Sequence, residues 1–132
     1  MAELNWSEKY ALGVQSIDDE HKELFDTVRE LESAMARNAE TGALLKKLVV
    51  ATSSHFADEE AIMLERKFPG LALHVANHQR LMEKLEAFAA RYSRSGAAID
   101  QYALNFLHDW LLHHIENDDA RLGTWLCGHK PG

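Results

Sequence analysis

Leu71-Ala72-Leu73-His74-Val75-Ala76-Asn77-His78-Gln79-Arg80-Leu81-Met82-Glu83-Lys84-Leu85 is the stretch that decides the fold. Leu71, His74, His78, Leu81 and Leu85, followed by Phe88, recur in steps of three and four. That is the spacing of one face of an α-helix. Two imidazoles therefore sit in an apolar stripe, where a polar side chain needs a partner. Residues four apart lie about 40° from each other around a helix axis and one turn apart along it. His74 and His78 can thus aim at one point.

The same pattern recurs on both sides. A helix over 43–67 carries Leu45, Leu48, Thr52, His55, Glu59 and Ile62, and Phe68-Pro69-Gly70 stops it. A helix over 18–38 carries His21, Leu24, Val28, Leu31 and Met35, with Phe25 beside them, and 39–42 is a turn. Ser16 is its expected cap, paired with Asp19 three residues on, with acidic residues at the positive end of the helix dipole. After a 71–92 helix and a loop at 93–96, a fourth helix starting near Ala98 carries Ala103, Phe106, Leu107, Trp110 and His114. The first 15 residues read as an irregular arm with Trp6, Tyr10 and Val14. Strand-like alternation is absent. Short connections make neighbouring helices antiparallel. The fold class is all-α: an up-down-up-down four-helix bundle over 16–126 in a single domain of 1–132.

Composition narrows the function. The 132 residues are 46% hydrophobic and 27% charged, which suits a globular protein. Net charge is −7 with no Lys/Arg-rich tract, which argues against nucleic acid and against an anionic membrane surface. No run approaches the ~20 apolar residues of a membrane span. No basic-then-apolar leader is visible at the amino terminus, so a cytoplasmic location is expected. Cys127 is the only cysteine, which rules out a disulfide within the chain and reads as an inert tail thiol. No large apolar patch stands out on the outer faces, so a monomer is expected.

Seven residues from four helical segments could converge: His21, His55, Glu59, His74, His78, His114 and an aspartate near 119. Simple geometry prefers Asp118, four residues after His114. Asp119 would be rotated about 140° on a regular α-helix. Leu122 and Leu126, however, continue in steps from Asp119. A one-residue π-bulge would place Trp110, His114, Asp119, Leu122 and Leu126 on one face, and such bulges are common at functional sites. Asp119 is therefore the expected ligand. Glu59 rather than Glu60 follows the stripe. Seven ligands are too many for one tetrahedral zinc, and carboxylates can bridge two cations. His108, His113 and His129 fall off the pattern and read as non-ligands. Trp6 and Trp125 read as packing for arm and tail. The remaining acids of 18–20 and 116–119 read as caps and solvated faces.

These residues resemble the hemerythrins, and within them the single-domain bacteriohemerythrins. The resemblance rests on Trp6, Leu12-Gly13-Val14, Ile17-Asp18-Asp19-Glu20-His21, His55-Phe56-Ala57-Asp58-Glu59-Glu60 with Met63, His74-Val75-Ala76-Asn77-His78, and Trp110-Leu111, His114-Ile115 and Asp119. It implies two non-haem iron ions that bind dioxygen reversibly. One iron would take His74, His78 and His114. The other would take His21 and His55, with a position left for dioxygen. Glu59 and Asp119 would bridge, beside a solvent-derived oxo or hydroxo group. Leu24, Phe56, Trp110, Leu111 and Ile115 would line the oxygen pocket. Leu122 stands where the family often has a tyrosine. The resulting expectation is oxygen carriage, storage or delivery, not an enzyme, with an oxygen-accepting protein as a partner. The alternatives are a di-iron redox enzyme handling peroxide or nitric oxide, an oxygen or redox sensor, and a zinc-binding bundle.

Overall fold

The computed structural model describes residues 10–95 and 99–128. Trp6, Ala98, His129 and most of the expected arm lie outside them. Helix α1 is Gln15–Ala36, α2 is Gly42–Glu65 and α3 is Leu71–Ser95. The fourth helix is continuous but changes its pitch. It runs as α4 over Gln101–His113, as a π-helical turn over His114–Asp119, and as α5 over Ala120–Gly128. No strand occurs among the described residues. α1 packs on α2 and on α4, and α2 packs on α3. The architecture is a four-helix bundle.

Two apolar clusters fill the interior. The main one holds Leu24, Phe25, Val28, Leu31, Leu45, Leu48, Phe56, Leu85, Leu104, Leu107 and Leu111, among others. The smaller one is Met63, Leu122 and Leu126, with Val14, Phe68, Leu71 and Trp125 packed on them. Every helix passes from one cluster to the other, with the histidine-bearing stretch between. α1 runs from Val14 past His21 to Leu24, and α2 runs back from Phe56 past Glu59 to Met63. α3 runs from Leu71 past His74 and His78 to Leu85, and the fourth helix returns from Leu111 past Asp119 to Leu122. The direction alternates at each step, which is the up-down-up-down order.

The helix ends differ from the sequence expectation in instructive ways. α1 starts at Gln15 behind Val14, and no side chain caps it. Ser16 is exposed inside the first turn, so it caps nothing. Asp18 is buried, and its carboxylate accepts Leu12 N–H at 2.7 Å and Gly13 N–H at 3.2 Å. The acid thus ties the arm to the helix instead of facing solvent. Gly13 takes φ +88°, a left-handed conformation that suits glycine. The fourth helix begins at Gln101, later than Ala98, because the Asp100 carboxylate caps Ala103 N–H at 2.9 Å. Thr41, from the α1–α2 turn, accepts Ile99 N–H at 3.1 Å just before it. On α2, Met63 rather than Ile62 is fully enclosed, and Ile62 packs beside it.

Replacing Asp18 with alanine strands two backbone donors near the start of α1. Asp18→Ala is expected to cost about 2 kcal/mol, the scale of hydrogen bonds to a charged group. Chemical denaturation checks this, and a loss below about 0.5 kcal/mol would mean that water replaces the carboxylate freely.

Candidate metal centre

Between the two clusters lies a polar layer drawn from all four helices. His21, His55, Glu59, His74, His78, His114 and Asp119 are all buried there, and their ligand atoms form two overlapping groups. The first is Glu59, His74, His78, His114 and Asp119, and the second is His21, His55, Glu59 and Asp119. Within each group the atoms lie within 4.8 Å of one another.

The two carboxylates belong to both groups, each through a different oxygen. Glu59 Oε1 lies 2.8 Å from His74 Nε2 and 3.2 Å from His78 Nε2. Its Oε2 lies 2.9 Å from His55 Nε2 and 3.6 Å from His21 Nε2. Asp119 Oδ1 lies 3.1 Å from both His74 Nε2 and His114 Nε2. Asp119 Oδ2 lies 2.7 Å from His21 Nε2 and 3.9 Å from His55 Nε2. Each carboxylate therefore spans from one histidine set to the other. Asp119 reaches inward because His114–Asp119 is wound as a π-helix. Asp118 stays outside the cluster, as Glu60 does on α2.

All five imidazoles point Nε2 inward, and three have an identifiable carboxylate behind them. His55 Nδ1 donates to Glu20 at 2.9 Å, His78 Nδ1 to Glu60 at 2.8 Å and His114 Nδ1 to Asp118 at 3.2 Å. An ionised carboxylate can only accept, so the proton stands on Nδ1 and Nε2 keeps its lone pair for a cation. From the sequence alone Glu20 and Asp118 read as caps or solvated faces, and Glu60 as lying off the inward stripe. The available signal was adjacency: each stands next to an inward residue in the chain, and in the pairs Glu59/Glu60 and Asp118/Asp119 one acid faces in and the other out.

Several inward atoms have no hydrogen bond. They are Nε2 of His55, His78 and His114, Oε2 of Glu59 and Oδ1 of Asp119, all enclosed. Buried polar atoms without partners are rare and costly. With the imidazoles neutral, the lone pairs that converge here form a donor set that fits a pair of cations. His113 is exposed and joined to Asn117, and buried His108 belongs to neither group.

The electrostatics carry the same message. Burial and the Asp119 charge push Glu59 upward, yet the facing imidazoles of His21, His55 and His74 hold it well below the usual carboxylate range. Burial also raises Asp119, and the charge of His114 with the nearby imidazoles of His21 and His55 overrides it. Burial opposes the charged imidazoles too, but the same carboxylates push His55 up to about 11, His114 to about 10 and His74 to about 9. Without a cation, protons supply the positive charge that the buried carboxylates require.

Histidines raised above their ordinary 6.5 stabilise the metal-free fold below that pH, and the contribution is lost as pH rises through about 9 to 11. Metal-free protein should therefore melt at progressively lower temperature as pH rises from 6.5 to about 10. Protein loaded with a divalent cation should show less decline. A metal-free melting temperature that climbs over this interval would refute the assignment. Glu60 is half-buried at the rim, so Glu60→Ala should leave the fold intact while weakening metal affinity roughly tenfold or more. Competition with a chelator measures that loss.

The chain matches the hemerythrin HHE cation binding domain family over residues 12–126, which includes all seven residues of the layer. Myohemerythrin of Sipunculus nudus is 32% identical over 116 residues, 88% of each chain. Bacteriohemerythrin of Methylococcus capsulatus (strain ATCC 33009 / NCIMB 11132 / Bath) is 30% identical over 129 residues, 96% of this chain and 98% of the relative. A crystal structure of wild-type hemerythrin superposes with a TM-score of 0.85 at 28% identity, covering 93% of this chain and 97% of that one. With a family match spanning nearly the whole described bundle and the polar layer inside it, this chain belongs to the hemerythrin family.

Proposed function

We propose that this protein binds dioxygen reversibly at a non-haem di-iron centre, for carriage, storage or delivery, and acts as a binding protein rather than an enzyme. One observation carries the reading: Glu59 and Asp119 each offer one oxygen to the set His74, His78 and His114, and the other to the set His21 and His55. In this reading the first set holds one iron and the second set the other. Glu59 and Asp119 would be shared between the two irons, each through one oxygen to either set. The second set has fewer protein donors, which leaves a position for dioxygen. An iron pair held by these residues would supply the redox chemistry of reversible dioxygen binding.

The chain's own residues orient the site and keep it dry. Glu20, Glu60 and Asp118 hold three imidazoles in the tautomer that metal binding needs. Phe56 stacks on His78 with ring centroids 3.7 Å apart and planes 3° from parallel. It also lies 5.8 Å from the His55 ring and 5.1 Å from the His114 ring, so it screens both sets. Leu24, Trp110, Leu111 and Ile115 are buried in the same apolar cluster. Walls of this kind exclude water and slow the loss of partly reduced oxygen species that would leave the irons oxidised. None of the five pocket residues titrates near neutral pH, so the pocket has no general acid or base with which to process a substrate.

The test is the visible spectrum of the reduced, iron-loaded protein before air, after air and after oxygen is removed. A charge-transfer band that appears with oxygen and vanishes on its removal is expected. Irreversible conversion to a ferric spectrum would favour a redox enzyme instead. Metal analysis should find about two irons per chain, the number the two donor sets accommodate. One zinc per chain would overturn the reading.

A further inference from the structure

Two helical threonines are fully enclosed in this bundle, and they behave differently. Thr27 on α1 donates its hydroxyl to the Glu23 carbonyl at 2.9 Å, the usual way such a residue satisfies itself within a helix. Thr52 on α2 has the same option one turn back, at Leu48, and does not use it. Its hydroxyl is enclosed, with 0% exposure of the residue, and hydrogen-bonds to nothing. An unmet hydroxyl in apolar surroundings is a net cost to the fold.

Its place in the bundle gives that cost a use. Thr52 stands three residues before His55 on the inward face of α2. Trp110 stands four residues before His114 on the fourth helix, and its indole N–H is also enclosed without an acceptor. α2 and the fourth helix run in the same direction. Both residues therefore stand about one turn to the same side of the polar layer, the side of the main apolar cluster. His55 belongs to the donor set with fewer protein ligands, the one with room for an outside molecule. Two donors in otherwise apolar surroundings favour negative charge, because hydrogen bonds to an anion are stronger where water is excluded.

We propose that the Thr52 hydroxyl and the Trp110 indole N–H are polar anchors of the ligand pocket, two donors that hold a small negatively charged ligand beside His21 and His55. The inference rests on the di-iron reading above. Thr52 and Trp110 are positioning residues for the bound ligand, and neither is a metal ligand.

Azide titrated into oxidised, iron-loaded protein is the probe. Thr52→Val keeps the shape and removes the hydroxyl. It should weaken azide binding about tenfold, through faster dissociation, the scale of one charge-assisted hydrogen bond. Thr52→Ser should restore affinity to within about twofold of the parent, and Trp110→Phe should weaken binding in the same direction as Thr52→Val. Azide affinity unchanged in both Thr52→Val and Trp110→Phe overturns the proposal. A second measurement needs no metal. Metal-free Thr52→Val should melt a few degrees higher than its parent, because an unmet hydroxyl has been removed. A lower melting temperature would show that the hydroxyl serves the fold, and would also overturn the proposal. Wild-type protein that takes up no iron fails the di-iron reading, and the metal-free melt still judges Thr52 separately.

Discussion

Two carboxylates with no exposure to solvent, Glu59 and Asp119, set the terms for the rest of this molecule. An ionised carboxylate carried into a protein interior loses far more solvation than any single hydrogen bond returns. Here two of them share one layer, and each raises the cost of ionising the other. Imidazoles answer that charge. His21, His55, His74 and His114 take up protons when nothing else is present, which is why all four are held above their ordinary range. A pair of divalent cations does the same task with more charge and with directed bonds, and then the imidazoles need be only neutral donors. A layer of this chemistry can exchange protons for metal, and metal binding there would be coupled to proton release.

That layer also constrains the fold. Each helix contributes inward polar residues at one level and apolar residues on both sides of it. A slip of one residue in any helix would swing its ligand by about 100° out of the layer. It would also bring a charged or solvent-facing side chain toward the core. Apolar packing alone tolerates exchange among leucines and phenylalanines, whereas a buried polar network admits one register. The main cluster, from Leu24 to Leu111, supplies most of the buried apolar surface, and the smaller cluster around Met63 and Leu122 closes the other end. Stability comes chiefly from the first, and alignment comes from the layer between them.

The bundle and the inward set were legible because both depend on helical period. Leu45, Leu48, Thr52, His55 and Glu59 share a face by arithmetic, and burial follows that face closely. What period could not reach was hydrogen bonding at the margins. Ser16 looked like a cap because of its type and its spacing to Asp19. The chain instead uses Asp18, which bends back to two backbone donors of the arm. The start of the fourth helix moved for a similar reason, since the capping geometry belongs to Asp100. Glu20 and Glu60 were overlooked because their partners, His55 and His78, lie on neighbouring helices 35 and 18 residues away. Contacts between helices leave no period within one helix.

The fourth helix shows how one segment serves several roles at once. His114 faces the layer, and in a regular α-helix the residue sharing its direction would be Asp118. Asp118 does lie close to His114, but on the outer nitrogen, at 3.2 Å from Nδ1. The inward role passes to Asp119, which the π-helical turn brings round to both histidine sets. A π turn has poorer backbone geometry than an α turn and persists only where something offsets it. Here the compensation is electrostatic. Within six residues the chain presents an inward imidazole, the carboxylate that orients that imidazole and the carboxylate that spans both sets. A regular helix could place one aspartate beside His114 in either role. The wider turn lets two adjacent aspartates take both, and Leu122 then resumes the apolar face on the far side of the layer.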